Sequence, residues 1–342
     1  MNEQSTARQT HWVGMDVAKD GFDASFVRRD QHFPDTELRN IPVASFTRSE
    51  QGVKAFLSWL DSHNTDEDEV RVVMESTGHY SQELSVWLLV ERATLTPAIA
   101  HAGHTAAFIK SLGVRNKTDR LEARALGFYG VERNPQAYEP LTPERAELRE
   151  LSRYRDSLVQ QCTRMKNQMK RDTASPFVQQ NRDKRLRLLK ADIERVETHM
   201  KELVKQHEDL ARDIVLLSSI YGVGFISATV VIAELGDLRR FDRARPLTAF
   251  AGMSPRHYES GSSIHRRSRL CKQGNPRIRQ ILYLCAMIAV RGDNLHAKAY
   301  RELIDNGKPK KVALIAIMRK LLVLMRAILI SGKPYQPMGI KT

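Results

Sequence analysis

Cysteine is scarce: Cys162, Cys271 and Cys285 are the only three in 342 residues, and no two form a CxxC pair. That excludes a disulfide framework and gives no zinc spacing, so a reducing cytosol is expected. No uninterrupted apolar run is long enough to span a bilayer. The most apolar stretch, 312–330, is broken by Arg319, Lys320 and Arg326 and reads as a buried helix. The opening MNEQSTARQTHW is polar and lacks an apolar signal core. Repeats and low-complexity runs are missing as well. Acidic charge is in deficit, with 40 Asp and Glu against 54 Lys and Arg, a net charge of +14. A cationic surplus suits a nucleic-acid partner, because each Lys or Arg that meets a phosphate releases a condensed counterion. The 42% hydrophobic content suffices to bury real cores, and the length predicts two or three domains.

The first ~130 residues read as α/β from their alternating periods. A strand is expected over 11–17, a hairpin turn at Asp20-Gly21, a return strand over 22–27 and a third strand over 41–46. Thr47 and Glu50 have capping-box spacing, ahead of a helix burying Val53, Phe56, Leu57 and Leu60. A valine-rich strand over 70–74 delivers Glu75. Leu84, Trp87 and Leu88 mark one face of the next helix, and 95–100 is an edge strand because it contains Pro97. Thr118 caps a further helix. From Pro143 to about Arg212 two charged helices carry apolar seams, Leu148 to Met169 and Leu189 to Leu210, around a loop at Ser175-Pro176. Such coiled-coil seams fit pairing within the chain or between chains. The last third reads helix, glycine turn, helix, a Gly/Ser/Arg-rich loop, then two apolar helices, one started by Asn275-Pro276.

Two constellations carry chemistry. Asp16 and Glu75 close strands, and Asp119 and Glu122 lie three apart on one helix face. Phosphoryl transfer on DNA needs hard oxygen ligands to hold divalent ions about 4 Å apart, and converging carboxylates supply them. Downstream, Ser260, Ser262 and Ser263 flank Gly261 and precede Arg266, Arg267, Arg269, Lys272, Arg277 and Arg279. A serine hydroxyl there is either an activated nucleophile in a cationic surround or part of a loop that only binds phosphates. Gly222 and Gly224 form the turn of a helix-hairpin-helix, which brings backbone N–H groups to a phosphate, or of a plain tight connection.

These pieces, in this order, resemble the insertion-sequence one-ten family of bacterial transposases, the bridge-RNA-guided recombinases. The resemblance rests on GMDVAKD, MESTGHY and NKTDRLEARAL, then GVGFISATVVIAELGDLRRF, AGMSPRHYESGS, KQGNPRIRQIL and GKPKKVALIAIMRKLL, and covers nearly the whole chain. It implies a ribonuclease-H-like, resolvase-like metal-dependent domain over 1–140, a coiled-coil assembly region over 141–212, and a mostly helical transposase domain over 213–342 that carries the catalytic serine. It implies Mg²⁺, with Mn²⁺ as a substitute, held by Asp16, Glu75, Asp119 and Glu122. The family pattern has Asp where this chain has Glu122. Ser260 matches the family's serine, with Ser262 and Ser263 still open. The implied reaction passes through a covalent serine–DNA intermediate. The implied partners are donor and target DNA, a noncoding guide RNA, and further copies of the chain as dimers assembling to a tetramer, in the bacterial cytoplasm at the nucleoid. Two other readings stay open from the residues: a metal-only Holliday-junction-type endonuclease, and a non-catalytic basic nucleic-acid-binding assembly protein.

Overall fold

Strand and helix periods alternate through the first 140 residues and give way to helical period alone. A computed structural model describes residues 10–32, 37–65, 68–113, 118–170, 175–260, 264–270 and 274–336, with 255–260 and 264–270 described by backbone only. The chain divides into two compact units, Met1–Pro140 and Leu141–Thr342.

In the first unit the elements run β1 (Thr10–Val17), β2 (Gly21–Val27), β3 (Val43–Thr47), α1 (Glu50–His63), β4 (Glu69–Glu75), α2 (His79–Glu91), β5 (Thr96–Ala100), α3 (Ala102–Ser111) and α4 (Asp119–Arg133). One sheet has the order β3-β2-β1-β4-β5; β1 pairs antiparallel with β2 and parallel with β4. This mixed sheet with helices on both faces fits the ribonuclease-H-like expectation. Successive strand residues face opposite ways, and the two cores obey that parity. Val13, Met15 and Val17 pack with α1 and α2, whereas Trp12 packs with α3 and α4. Gly14 and Asp16 share the parity of Trp12. In β4, Val72 and Met74 join the first core, and Val73 joins the second, so Glu75 also has the α4-facing parity. β5 is an edge strand, as β3 is at the other side, and the carbonyl of Pro97 accepts from Tyr138 N at 2.7 Å.

Close approach of α4 to β1 follows from missing side chains. A Cβ on Gly14 would stand 2.1 Å from both the Ala123 carbonyl oxygen and the Gly127 nitrogen. A Cβ on Gly127 would meet Val27 Cγ2 at 2.4 Å. Ser25 Oγ donates to the Ala123 carbonyl at 2.8 Å, and Arg124 Nε to the Ile41 carbonyl at 2.9 Å, which pins the helix laterally. Thr118 caps α4 as expected, accepting from Leu121 N. The capping box at Thr47 is corrected. Thr47 is the last residue of β3, so the cap of α1 falls to Ser49, whose hydroxyl accepts from Gly52 N.

The second unit opens with α5 (Pro143–Met169) and α6 (Pro176–Gln206), followed by α7 (Glu208–Ser218), α8 (Phe225–Leu235), α9 (Ala244–Phe250), β6 (Pro255–Ser260), β7 (Ile264–Leu270), α10 (Pro276–Ala289), α11 (Leu295–Asp305) and α12 (Lys310–Ser331). α5 and α6 pack on each other antiparallel: Arg155 pairs with Glu197, and Leu158 and Cys162 share a small core with Leu189. The seam is therefore used within the chain. Its expected end at Leu210 is interrupted, because His207 leaves helical geometry and Leu210 belongs to α7. Leu148, Met200, Leu203 and Val204, at the base of this hairpin, join one core with α7, α8, α10 and α12. The expected Gly/Ser/Arg-rich loop contains the antiparallel pair β6–β7, and three helices follow it, not two. Asn275 caps α10, accepting from Arg277 N and Ile278 N, with Pro276 at the first position. Stretch 312–330 lies in α12, which buries Ile317, Leu321 and Met325. Among the described residues no helix is long and apolar enough to cross a membrane.

These contacts set an ordering of glycine replacements. Gly14→Ala drives a methyl into helix backbone and is expected to cost about 3 kcal/mol or more in denaturant unfolding. Gly224→Ala, whose Cβ meets nothing within 4 Å, is expected to cost no more than about 1 kcal/mol. Equal losses at the two positions would refute the close approach of α4 and β1.

Candidate carboxylate site

Strand parity and the cap of α4 place the acids. Asp16 lies one residue before the end of β1, half-buried on the parity of Gly14. Glu75 ends β4, and Thr105 Oγ of α3 donates to its Oε2 at 2.6 Å. Thr118 starts α4, so Asp119 and Glu122 occupy its first turn, where the helix dipole favours negative charge. Asp16 feels all of them. Its pKa is raised to about 6, first by burial, then by the charges of Glu122, Asp119, Glu75 and Asp23. The four sequence-predicted acids are thus neighbours electrostatically. Asp23 was missed, although the Asp20-Gly21 hairpin places it directly opposite Asp16 across β1–β2. Thr105 was missed too, and nothing local in the sequence marks it.

Among the described residues no three His, Cys, Asp or Glu side chains converge closely enough to hold an ion together. The acids stand near enough to repel Asp16 without sharing a coordination point. The donor set nevertheless suits a hard divalent cation: it is all oxygen, it comes from three separate elements, and its repulsion is of the kind such an ion would relieve.

The C-terminal residues fall into three groups. Ser260 ends β6, with its backbone in register with Ile264, and Arg266, Arg267 and Arg269 lie on β7, where the register shifts opposite Arg256 and Tyr258. Ser262, Ser263 and Lys272 lie outside the described residues. Gly222 and Gly224 flank the turn between α7 and α8. Gly222, at φ +91°, is required by packing, since a Cβ there would sit 2.8 Å from the Cys285 carbonyl. Gly224 caps α8 in open space. Arg277 is engaged internally, to Asp156 at 2.7 Å and to Glu234 at 2.9 Å, and Arg279 Nη1 donates to the Gly274 carbonyl. Glu234 was not foreseen. Its carboxylate is 1% exposed, and Arg153 grips it through two hydrogen bonds of 2.8 and 2.9 Å. Burial pushes its pKa up, but Arg153, Asn275 and Arg277 more than offset this and hold it below the ordinary value.

The raised pKa of Asp16 has a stability consequence. The folded chain binds the Asp16 proton more tightly than the unfolded chain does. Stability therefore falls as pH rises from about 4 through about 6, and the charged form is a standing penalty above that. Asp16→Asn is expected to melt several degrees above the parent at pH well above 6, with the gap shrinking as pH falls towards 4. Melting curves that show the reverse order would contradict the crowding of acids.

Comparison with known proteins supplies the family. Residues 13–172 match the DEDD transposase domain of IS110 elements, and residues 215–301 match the transposase family IS116/IS110/IS902. The pilin gene-inverting proteins of Moraxella bovis and Moraxella lacunata are each 28% identical over 95% of this chain and 97% of their own length. The transposase for insertion sequence element IS1111A of Coxiella burnetii is 28% identical over 52% of this chain and 55% of its own. DEDD domains of this type work with a divalent metal. With both domains present in order, the chain belongs to the IS110/IS116 family of transposases, which cut and rejoin DNA in mobilising insertion sequences.

Proposed function

We propose that this transposase uses Asp16, Glu75, Asp119 and Glu122 to hold Mg²⁺ on DNA and Ser260 as the nucleophile that keeps the cut strand attached to protein. The observation that carries the reading is the raised pKa of Asp16, produced first by its burial and then by acids from α4, β4 and β2 around this one β1 carboxylate. A shifted group with several charged neighbours is a mark of a functional site. When bound, the ion supplies charge for the transferring phosphoryl group and a Lewis acid for its oxygens. Asp16 and Glu75 are the donors fixed by strand ends. Asp119 and Glu122 come from a helix start, and Thr105 orients Glu75. Glu122, in the first turn of α4, carries one methylene more than the family's Asp, which lengthens its reach.

At Ser260 the hydroxyl oxygen bonds to phosphorus, the bond to the leaving strand oxygen breaks, and the serine proton passes to a base. The phosphodiester energy is kept for rejoining. Arg266, Arg267, Arg269 and Lys272 would balance phosphate charge around the serine. The α7–α8 turn is read as a helix-hairpin-helix in which Gly224, open to its surroundings, offers backbone to a DNA phosphate. Guidance by a noncoding RNA, and assembly of dimers to a tetramer, are supported by the family resemblance alone. The helical seam is satisfied inside the chain and adds little weight to self-association.

Two variants test the proposal in assays with donor and target DNA, element RNA and Mg²⁺. Asp16→Asn is expected to lower strand cleavage at least about a hundredfold, the scale of losing a metal-held transition state. Ser260→Ala is expected to abolish the denaturation-resistant protein–DNA adduct. Cleavage that survives in Ser260→Ala with no adduct in either protein would replace the serine step with metal-only hydrolysis. An adduct retained in that variant moves the nucleophile to Ser262 or Ser263.

A further inference from the structure

The helical hairpin α5–α6 is sharply divided in charge. Its base is mixed, and several of its arginines there are paired: Arg153 with Glu234, Arg155 with Glu197, Arg195 with Asp192. From residue 157 to 190 the described residues carry Arg164, Lys166, Lys170, Arg182, Lys184, Arg185, Arg187 and Lys190 against Asp183 alone. That surplus of seven is half of the chain's +14. Among the described residues none of these eight side chains makes an ion pair; Arg182 and Arg187 reach only backbone carbonyls, of Gln168 and Asp183. Eight unpaired cations on two adjacent helices repel one another, a cost that a polyanion removes.

A second feature lies at the same place. A cleft of about 440 Å³ opens between the two helices, and Gln161, Arg164, Gln168 and Arg185 contribute to its lining. Amides and guanidiniums side by side suit phosphate oxygens, which accept hydrogen bonds as well as charge. The seam beneath is closed, since Leu158, Cys162 and Leu189 are buried against each other, and the large apolar side chains this half exposes are Phe177 and Leu188, set among the cations.

We propose that the outer half of this hairpin is a sequence-independent binding surface for the phosphate backbone of duplex DNA. The fifteen residues from Pro176 to Lys190 span roughly 20 Å of helix, about the axial length that carries a dozen duplex phosphates. Single strands need aromatic platforms for their bases. Among the described residues of this half, Phe177 is the one aromatic. Stiff paired helices with a line of cations and scarcely any stacking surface match a regular duplex better than an unstacked strand.

The test uses the full chain with EDTA present, so that neither the carboxylates nor Ser260 enters. Binding to a duplex of about 30 bp and arbitrary sequence is followed by fluorescence anisotropy over a range of salt. Lys184, Arg187 and Lys190 are all exposed, and the triple change K184Q/R187Q/K190Q is expected to lower the salt slope of log K by about 2 to 3. The charge-keeping K184R/R187K/K190R is expected to restore it. R164Q/K166Q/K170Q repeats the measurement from α5 if the first variant melts early. An unchanged slope in a folded variant would overturn the proposal. So would a larger loss on single-stranded RNA than on duplex, or a change of oligomeric state with duplex affinity intact.

Discussion

Helix α4 rests on β1 with nothing between their backbones, because Gly14 and Gly127 have no Cβ to keep them apart. A wider spacing would carry the first turn of α4, with Asp119 and Glu122, away from Asp16. The acids on the strands are fixed by sheet register, and the helical pair is fixed by this contact and by the Thr118 cap. Ser25 and Arg124, which hydrogen-bond backbone carbonyls across the same interface, keep the helix from sliding along the strand. The chemistry available to the unit is set by a packing distance.

The two units treat buried carboxylates in opposite ways. Glu234 is almost fully buried, yet two arginines and Asn275 satisfy it, and its pKa stays low. Asp213 is similarly enclosed by Arg239, Arg145 and Arg212, with Arg239 making contacts of 2.6 and 2.9 Å. These pairs tie α5, α7, α8 and α10 together, and loss of one partner would leave a charge stranded. Asp16 is surrounded by acids instead, and burial and repulsion raise it together. The second unit pairs its buried carboxylates, whereas the first leaves half-buried Asp16 among like charges, a crowding of the kind functional sites show.

Much of this was legible because parity and helical period carry it. The strands at β1, β2 and β4 and the four buried positions of α1 follow from apolar spacing, and Pro97 marks the edge strand by its missing N–H. The acids of the site could be named because they sit at strand ends and at a capped helix start. Less legible were features made by tertiary pairing. Ser49 displaced Thr47 as a cap because strand pairing holds Thr47 in β3. The β6–β7 pair was hidden by its arginines and serines, which weaken the alternation that marks a strand. Asp23 needed the register of the hairpin, and Glu234 needed two guanidiniums from helices far apart in sequence. The helical seam was visible, but that it closes within one chain took tertiary contacts to show: Arg155 with Glu197, and Leu158 and Cys162 with Leu189.

The crowding of acids around Asp16 is most directly tested by a crystal structure of the full chain grown with Mn²⁺ and measured at the manganese edge. The expected result is an anomalous peak bounded by the carboxylates of Asp16 and Glu75 and at least one of the α4 pair, with α4 still in contact with Gly14. Carboxylates that remain apart around ordered water, with no manganese among them at saturating concentration, would contradict it.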